Sequence, residues 1–171
     1  MSLIVSENRK QFSPPPEGLL HCVCADVVDL GIVEGQFGPQ HKVQIIWQTA
    51  DVDENGKRFL IFRQYTPSLS DKSRLRPMLE SWRGKKFTAE ELGPPKDGKG
   101  GFDLENVISA NCQIQIVHKL RTDGSKGYDV QAVVPAPKGV PMLKVEGYTR
   151  KKDRTDQTFG AETADQSAVP F

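Results

Sequence analysis

Basic and aromatic side chains are interleaved through one stretch of the chain and recur on a later one. Lys42, Lys57, Arg58 and Arg63 carry positive charge there, Phe37, Trp47, Phe62 and Tyr65 carry aromatic faces, and Arg121, Lys126 and Tyr128 repeat the mixture further along. Cations neutralise phosphates and aromatic faces stack on bases, the combination by which proteins hold single-stranded nucleic acid without reading its sequence. A further run, Lys72, Arg74, Arg76, Arg83, Lys85 and Lys86, sets six cations against Glu80 within fifteen residues. It reads either as an extension of a phosphate track or as a solvated helix face.

Other constellations fail on chemistry. In His21-Cys22-Val23-Cys24 the histidine faces away from the two cysteines on a strand, and no second His/Cys pair completes a four-ligand site. Gly93 to Gly100 follows a phosphate-loop pattern up to the place where a Ser or Thr would hold magnesium, but Gly100 stands there and Pro94 and Pro95 remove N–H donors. His21, His41 and His118 fall on separate strands with no nucleophile or carboxylate partner. The expectation is a protein that is not an enzyme, with no catalytic residues, no cofactor and no metal.

The elements that must position the basic and aromatic set follow from periodicity. Leu19 to Val33 is β-branched and contains Gly31, which predicts a long strand that bulges or bends there. His41 to Ala50 alternates, Val43, Ile45 and Trp47 on one side and Lys42, Gln44, Ile46 and Gln48 on the other. Trp47 is therefore as consistent with core as with a stacking face. Asn55-Gly56 turns the chain into a third strand, Lys57 to Thr66, with Phe59 and Ile61 toward the core. Arg63 and Tyr65 share the parity of Phe59, so the reading has this strand emerge or bulge before position 63. Ser70 and Asp71 are expected to cap a helical segment that restarts at Pro77 and runs to Trp82, ended by Gly84. Phe102 to Ala110 is a short capped turn; Asn111 to Leu120 and Tyr128 to Val134 are strands four and five around a hairpin loop.

Three strands, a helix and two strands is the order of an all-β, five-stranded Greek-key barrel of the OB type with its helix between strands three and four. An SH3-like barrel or a small sandwich stays open. In an OB fold the outer face around strands two and three, flanked by the loops that hold Phe37 and Arg121, takes extended oligonucleotides.

Two resemblances bear on function. Arg63-Gln64-Tyr65-Thr66-Pro67-Ser68-Leu69, Lys72-Ser73-Arg74-Leu75-Arg76, Leu79-Glu80-Ser81-Trp82-Arg83-Gly84 and Phe102-Asp103-Leu104 are similar to a family of small phage and prophage proteins, and the likeness covers roughly residues 19 to 137. It implies an OB-fold, single-stranded-DNA-binding-like protein of a replication or recombination module. The last residues, with Asp165 upstream of Pro170-Phe171, resemble the acidic Pro-Phe tip of bacterial single-stranded DNA-binding proteins, which implies recruitment of replication or recombination enzymes through Asp165, Pro170 and Phe171. That tip is more acidic in the bacterial family than Gln166, Ser167 and Ala168 are here.

The bulk properties agree with one domain and two tails. The 171 residues are expected to divide into an extended arm (1–18), the OB domain (19–137) and a flexible linker with an acidic tail (138–171). Net charge is +1, yet residues 153–171 hold four acids against Arg154, leaving +4 on the rest. Three cysteines, an odd count, argue against a disulfide framework and for a reducing cytoplasm, and no apolar run is long enough for a membrane span or shaped as a signal peptide. The reading is a single-stranded DNA-binding protein with little sequence preference. An interaction module of a replication complex and single-stranded RNA binding stand as alternatives, and a homo-oligomer stays open.

Overall fold

A computed structural model describes residues 14–94, 96 and 100–154. Its strands are β1 (Gly18–Gly35), β2 (Gly38–Val52), β3 (Arg58–Tyr65), β4 (Asn111–Leu120) and β5 (Lys126–Pro135), with helix α1 (Leu75–Arg83) and the short α2 (Ala89–Leu92) between β3 and β4. They make an all-β fold around one antiparallel sheet in the order β3-β2-β1-β4-β5.

β1 is 18 residues long because it serves both halves of the sheet. Its first part pairs with β4, from Gly18 opposite Ile116 to Val23 opposite Asn111. From Cys22 onward it pairs with β2, with register breaks between Cys24 and Asp26 and between Asp29 and Gly31. An extra residue on one strand bends it and increases its twist, so these breaks curl the sheet. Gly31 sits at φ 67°, a left-handed conformation that glycine adopts without penalty, where the sequence places a bend. Beyond the last β2–β3 pair, Val43 opposite Tyr65, the β1–β2 hairpin continues as a two-stranded ribbon to the Gly35–Gly38 pair.

The inner face of the curled sheet carries Cys22, Cys24, Val43, Ile45, Trp47 and Ile61, all buried. Leu75, Leu79 and Trp82 of α1 close one end of that core. The helix begins at Leu75, later than Ser70 and Asp71 predict: the Ser73 hydroxyl accepts the Arg76 N–H (3.3 Å), while the Asp71 carboxylate takes the Arg76 guanidinium (2.6 Å). Pro77 falls in the first turn, where its missing N–H costs nothing. Gly84 ends the helix at φ 75°, its N–H donating to the Glu80 carbonyl. Trp82 Nε1 donates to the Asn111 carbonyl (2.9 Å), fixing the helix to the start of β4. The capped turn after Phe102 is a 3-10 turn at Leu104–Val107 with Asp103 as its cap.

The outer face of β1 and β2 is covered as well, by residues the sequence reading assigned to a linker. Two side-chain amides act as substitute strands there. Asn111 donates to the Leu143 carbonyl (3.0 Å) and accepts its N–H (2.7 Å), and Gln48 does the same for Glu146 (2.6 and 2.9 Å). Asp26, 1% exposed, then accepts from Tyr148 Oη (2.9 Å), Arg150 Nε (3.0 Å) and the Lys151 N–H (2.9 Å). The Arg150 guanidinium also meets both carboxylate oxygens of Glu105, at 2.8 and 2.9 Å. Residues 143–151 thus form a strap bonded to the domain, not a linker that leaves it after residue 137. Ile46, between the anchors at Gln48 and Asp26, is fully buried, which is why β2 is buried on both faces from Ile45 to Thr49.

Of the predicted arm, Pro15 and Glu17 are bonded to β4 through His118: its ring donates to the Pro15 carbonyl (2.6 Å) and its N–H to the Glu17 carboxylate (2.8 Å). Among the described residues no helix is long and apolar enough to cross a membrane.

Candidate nucleic-acid interface

β3 and β5 are the two edges of the sheet. They run in the same direction, and two side-chain bonds join them. The Phe62 N–H donates to Tyr128 Oη (2.9 Å), and Arg63 Nη1 donates to the Val130 carbonyl (2.6 Å). A ladder donor on an edge strand needs an acceptor, and here the tyrosine hydroxyl supplies it. Burial pushes the Tyr128 phenol above its ordinary value, so it stays neutral at neutral pH. Lys126 and the β4–β5 loop follow directly: Arg121 folds back over Gly127, where a side chain would collide with its Nε and Cγ. The seam therefore gathers Phe62, Arg63, Tyr128, Lys126 and Arg121, five of the residues the sequence singles out.

The outer face continues from the seam across β2. Register pairs Phe62 with Ile46 and Gln64 with Gln44, and places Lys42 beside Thr66, whose hydroxyl accepts from Lys42 Nζ (2.9 Å). Lys151 of the strap reaches the same row and donates to Gln44 Oε1 (3.0 Å). Phe62 is 36% exposed in this face. Its partly exposed ring shares the outer face with Lys42 and Lys151.

The other candidates divide. Phe37 stands 86% exposed at the tip of the ribbon, and Lys57 is exposed in the β2–β3 turn. Arg58 is committed to the strap, donating to the Lys144 carbonyl (2.7 Å) and lying 3.4 Å from the Glu146 carboxylate. Trp47 is fully buried and packs on Trp82 at 5.9 Å between centroids, so it is core and offers no face to a base. Its parity with Val43 and Ile45 decides its direction. Tyr65 is 4% exposed, also core, and burial raises its phenol to about 12. The β2–β3 ladder has a register break before position 63, between the Val52–Arg58 and Gln48–Leu60 pairs, and is regular from Leu60 to Tyr65, so the irregularity does not turn Arg63 and Tyr65 out of the parity of Ile61. Arg63 keeps core parity and still escapes the core because the sheet edge lies beside it and Val130 accepts its guanidinium. Asp165, Pro170 and Phe171 lie outside the described residues.

Within the second basic run, Arg76 is paired with Asp71 and Glu80, at 2.6 and 3.1 Å. Arg83 is almost wholly buried against Glu91 (3.0 Å), its guanidinium over the rings of Phe87 and Phe102. These two hold the helix in place, whereas Lys72 and Arg74 are exposed. Cys22 and Cys24 face the core, and His21 donates instead to Asn111 Oδ1 (2.8 Å).

Sequence reasoning missed the strap. It pairs through side chains and forms no ladder, so it leaves no strand period. The trace it leaves is the partly buried alternation of Leu143 and Val145, then Tyr148 and Arg150 after Gly147, whose φ of 63° changes the phase.

The chain matches no protein-family model and no curated protein.

Proposed function

We propose that this is a non-enzymatic, OB-type protein that binds single-stranded DNA with little sequence preference, in the cytoplasm of a bacterial or phage-infected host, during replication or recombination. The element order and the parallel approach of β3 and β5 support the barrel: closing that seam turns the observed sheet order into a five-stranded Greek-key barrel. The observation that carries the function is the convergence of Phe62, Tyr128, Arg63, Lys126 and Arg121 on one seam, beside the outer row of Lys42, Gln44, Gln64 and Lys151. Bases stack on Phe62, phosphates track along the cations, and the side-chain amides tolerate any base edge. Phe37 on the ribbon closes over the strand from the opposite side. The segment with Asp165, Pro170 and Phe171 recruits replication proteins, as its resemblance to the bacterial tip implies.

A second reading has one observation behind it. Ile32 is 69% and Phe37 86% exposed on the same ribbon, an apolar surface suited to a protein partner. Fluorescence anisotropy of labelled oligothymidine separates the two. Binding that favours the single strand over duplex, with log K falling by about 0.7 per neutralised phosphate for each unit of log salt, supports strand binding. Absence of binding at low salt overturns it in favour of the ribbon as an interaction surface. An oligouridine competitor of equal length reports any preference for RNA.

A further inference from the structure

At the end of the β2–β3 ladder, where the chain leaves Tyr65 for α1, a cavity of about 390 Å³ is lined by Lys42, Lys72 and Arg74 together with Thr66, Ser68 and Ser73. Among the described residues no carboxylate lines it. Asp71, the nearest acid in sequence, is held by Arg76 (2.6 Å), and among the described residues none of the three cations has an ion-pair partner. The hydroxyls are biased toward donation. Thr66 Oγ1 already accepts from Lys42 Nζ, Ser68 Oγ from the Ser70 N–H and Ser73 Oγ from the Arg76 N–H, so one lone pair of each is taken and its proton is free to donate. A concave surface of three unneutralised cations and three hydroxyl donors fits a small anion with several acceptor oxygens.

A groove of about 360 Å³ adjoins it across Tyr65, Ser73 and Arg74, walled by Pro77, Met78 and Val130. Apolar walls next to a donor-rich pocket suit a ligand with one flat apolar part and one multiply charged part. We propose that pocket and groove together bind one nucleotide carrying a phosphomonoester, with the phosphate among Lys42, Lys72 and Arg74 and the base against Met78 and Val130. Three cations match a dianionic monoester better than the single charge of an internal phosphodiester. This site therefore takes the phosphorylated end of a strand or a free nucleotide. The strand end as source rests on the strand-binding reading; the site itself does not.

The test compares oligothymidines of equal length bearing a 5′-phosphate, a 3′-phosphate or hydroxyl ends, with thymidine monophosphate titrated alone by calorimetry. The full chain and its Lys72→Gln/Arg74→Gln variant are measured side by side, both side chains being exposed and without a hydrogen bond to the described residues. One phosphorylated end should bind at least about tenfold more tightly than the hydroxyl end, the gain from a single net charge-assisted hydrogen bond. The variant should lose that preference, and thymidine monophosphate should saturate only the unsubstituted chain. Equal binding of all three oligomers without saturable nucleotide binding, or a preference that survives in the variant, overturns the proposal. Nucleotide binding that depends on Lys72 and Arg74 while no oligomer binds supports the site and removes the strand-binding reading alone.

Discussion

Phe62 and Trp47 share an aromatic character and sit on adjacent strands, yet the fold gives them opposite roles. Replacing Phe62 by alanine should weaken binding of oligothymidine by about 1–3 kcal/mol and lower the melting temperature much less than a core truncation does, because the residue is 36% exposed. Trp47→Ala should instead cost about 3–5 kcal/mol of stability, since it empties a fully buried site against Trp82. Anisotropy and urea unfolding on the same pair of variants check both, and a reversal of the two outcomes would show that the parity of β2 has been assigned to the wrong face. The thiols give an independent reading of the core. Burial drives the Cys24 and Cys112 thiols well above their ordinary range, so both stay protonated and inaccessible. A thiol reagent at pH 8 should label none of Cys22, Cys24 and Cys112 in the folded chain and all three in urea.

Among the elements, the strap has the largest consequence for the candidate interface. It covers the Ile46 and Asp26 part of the outer face and leaves Phe62, Gln64 and Lys42 open, so it sets where a strand can lie. Its hold depends on a buried charge. Arg150→Ala would strand the Asp26 carboxylate with two of its three donors, and removing one member of a buried pair costs about 3–5 kcal/mol. Urea unfolding should show that loss, and the double variant Asp26→Ala/Arg150→Ala should lose less than the sum of the single changes. Full additivity would mean the two side chains do not act on each other. A chain ended after residue 137 should also be destabilised, because Asp26, Gln48 and Asn111 would lose their bonds to the strap and Ile46 its cover.

At the scale of the whole molecule, the buried phenols and thiols are shifted in one direction. Burial raises Tyr65 to about 12 from an ordinary 10.0, and raises Tyr128, Cys24 and Cys112 as well. Tyr148 is raised by burial and by its bond to Asp26. A group whose folded value is raised binds its proton more tightly folded than unfolded. Its contribution is complete below the unfolded value and is lost as pH climbs toward the folded one. The urea midpoint should therefore fall from about pH 9 upward, Tyr65 alone accounting for roughly 2 to 3 kcal/mol by pH 12. Tyr65→Phe should flatten part of that decline; an unchanged midpoint between pH 9 and 12 would contradict the burial of these groups.

The residue types and their spacing determine the strands, because alternation and turn chemistry act over a few neighbours. Val43, Ile45 and Trp47 declare one face of β2, Asn55-Gly56 its hairpin, Gly31 the bend in β1 and Gly84 the end of α1. The order of elements already implies an all-β fold with a helix between the third and fourth strands. What local pattern does not carry is contact across long separations. Arg63 escapes sideways only because β5 lies along the edge of β3, an approach made across more than sixty residues. Asp26 becomes a buried anchor only when Arg150 arrives from 124 residues away. The strap, the seam and the pocket over Lys72 and Arg74 exist through tertiary closure. Side-chain hydrogen bonds between distant segments impose no period on either, so the three-dimensional structure alone decides which cations stand exposed and which hold the fold.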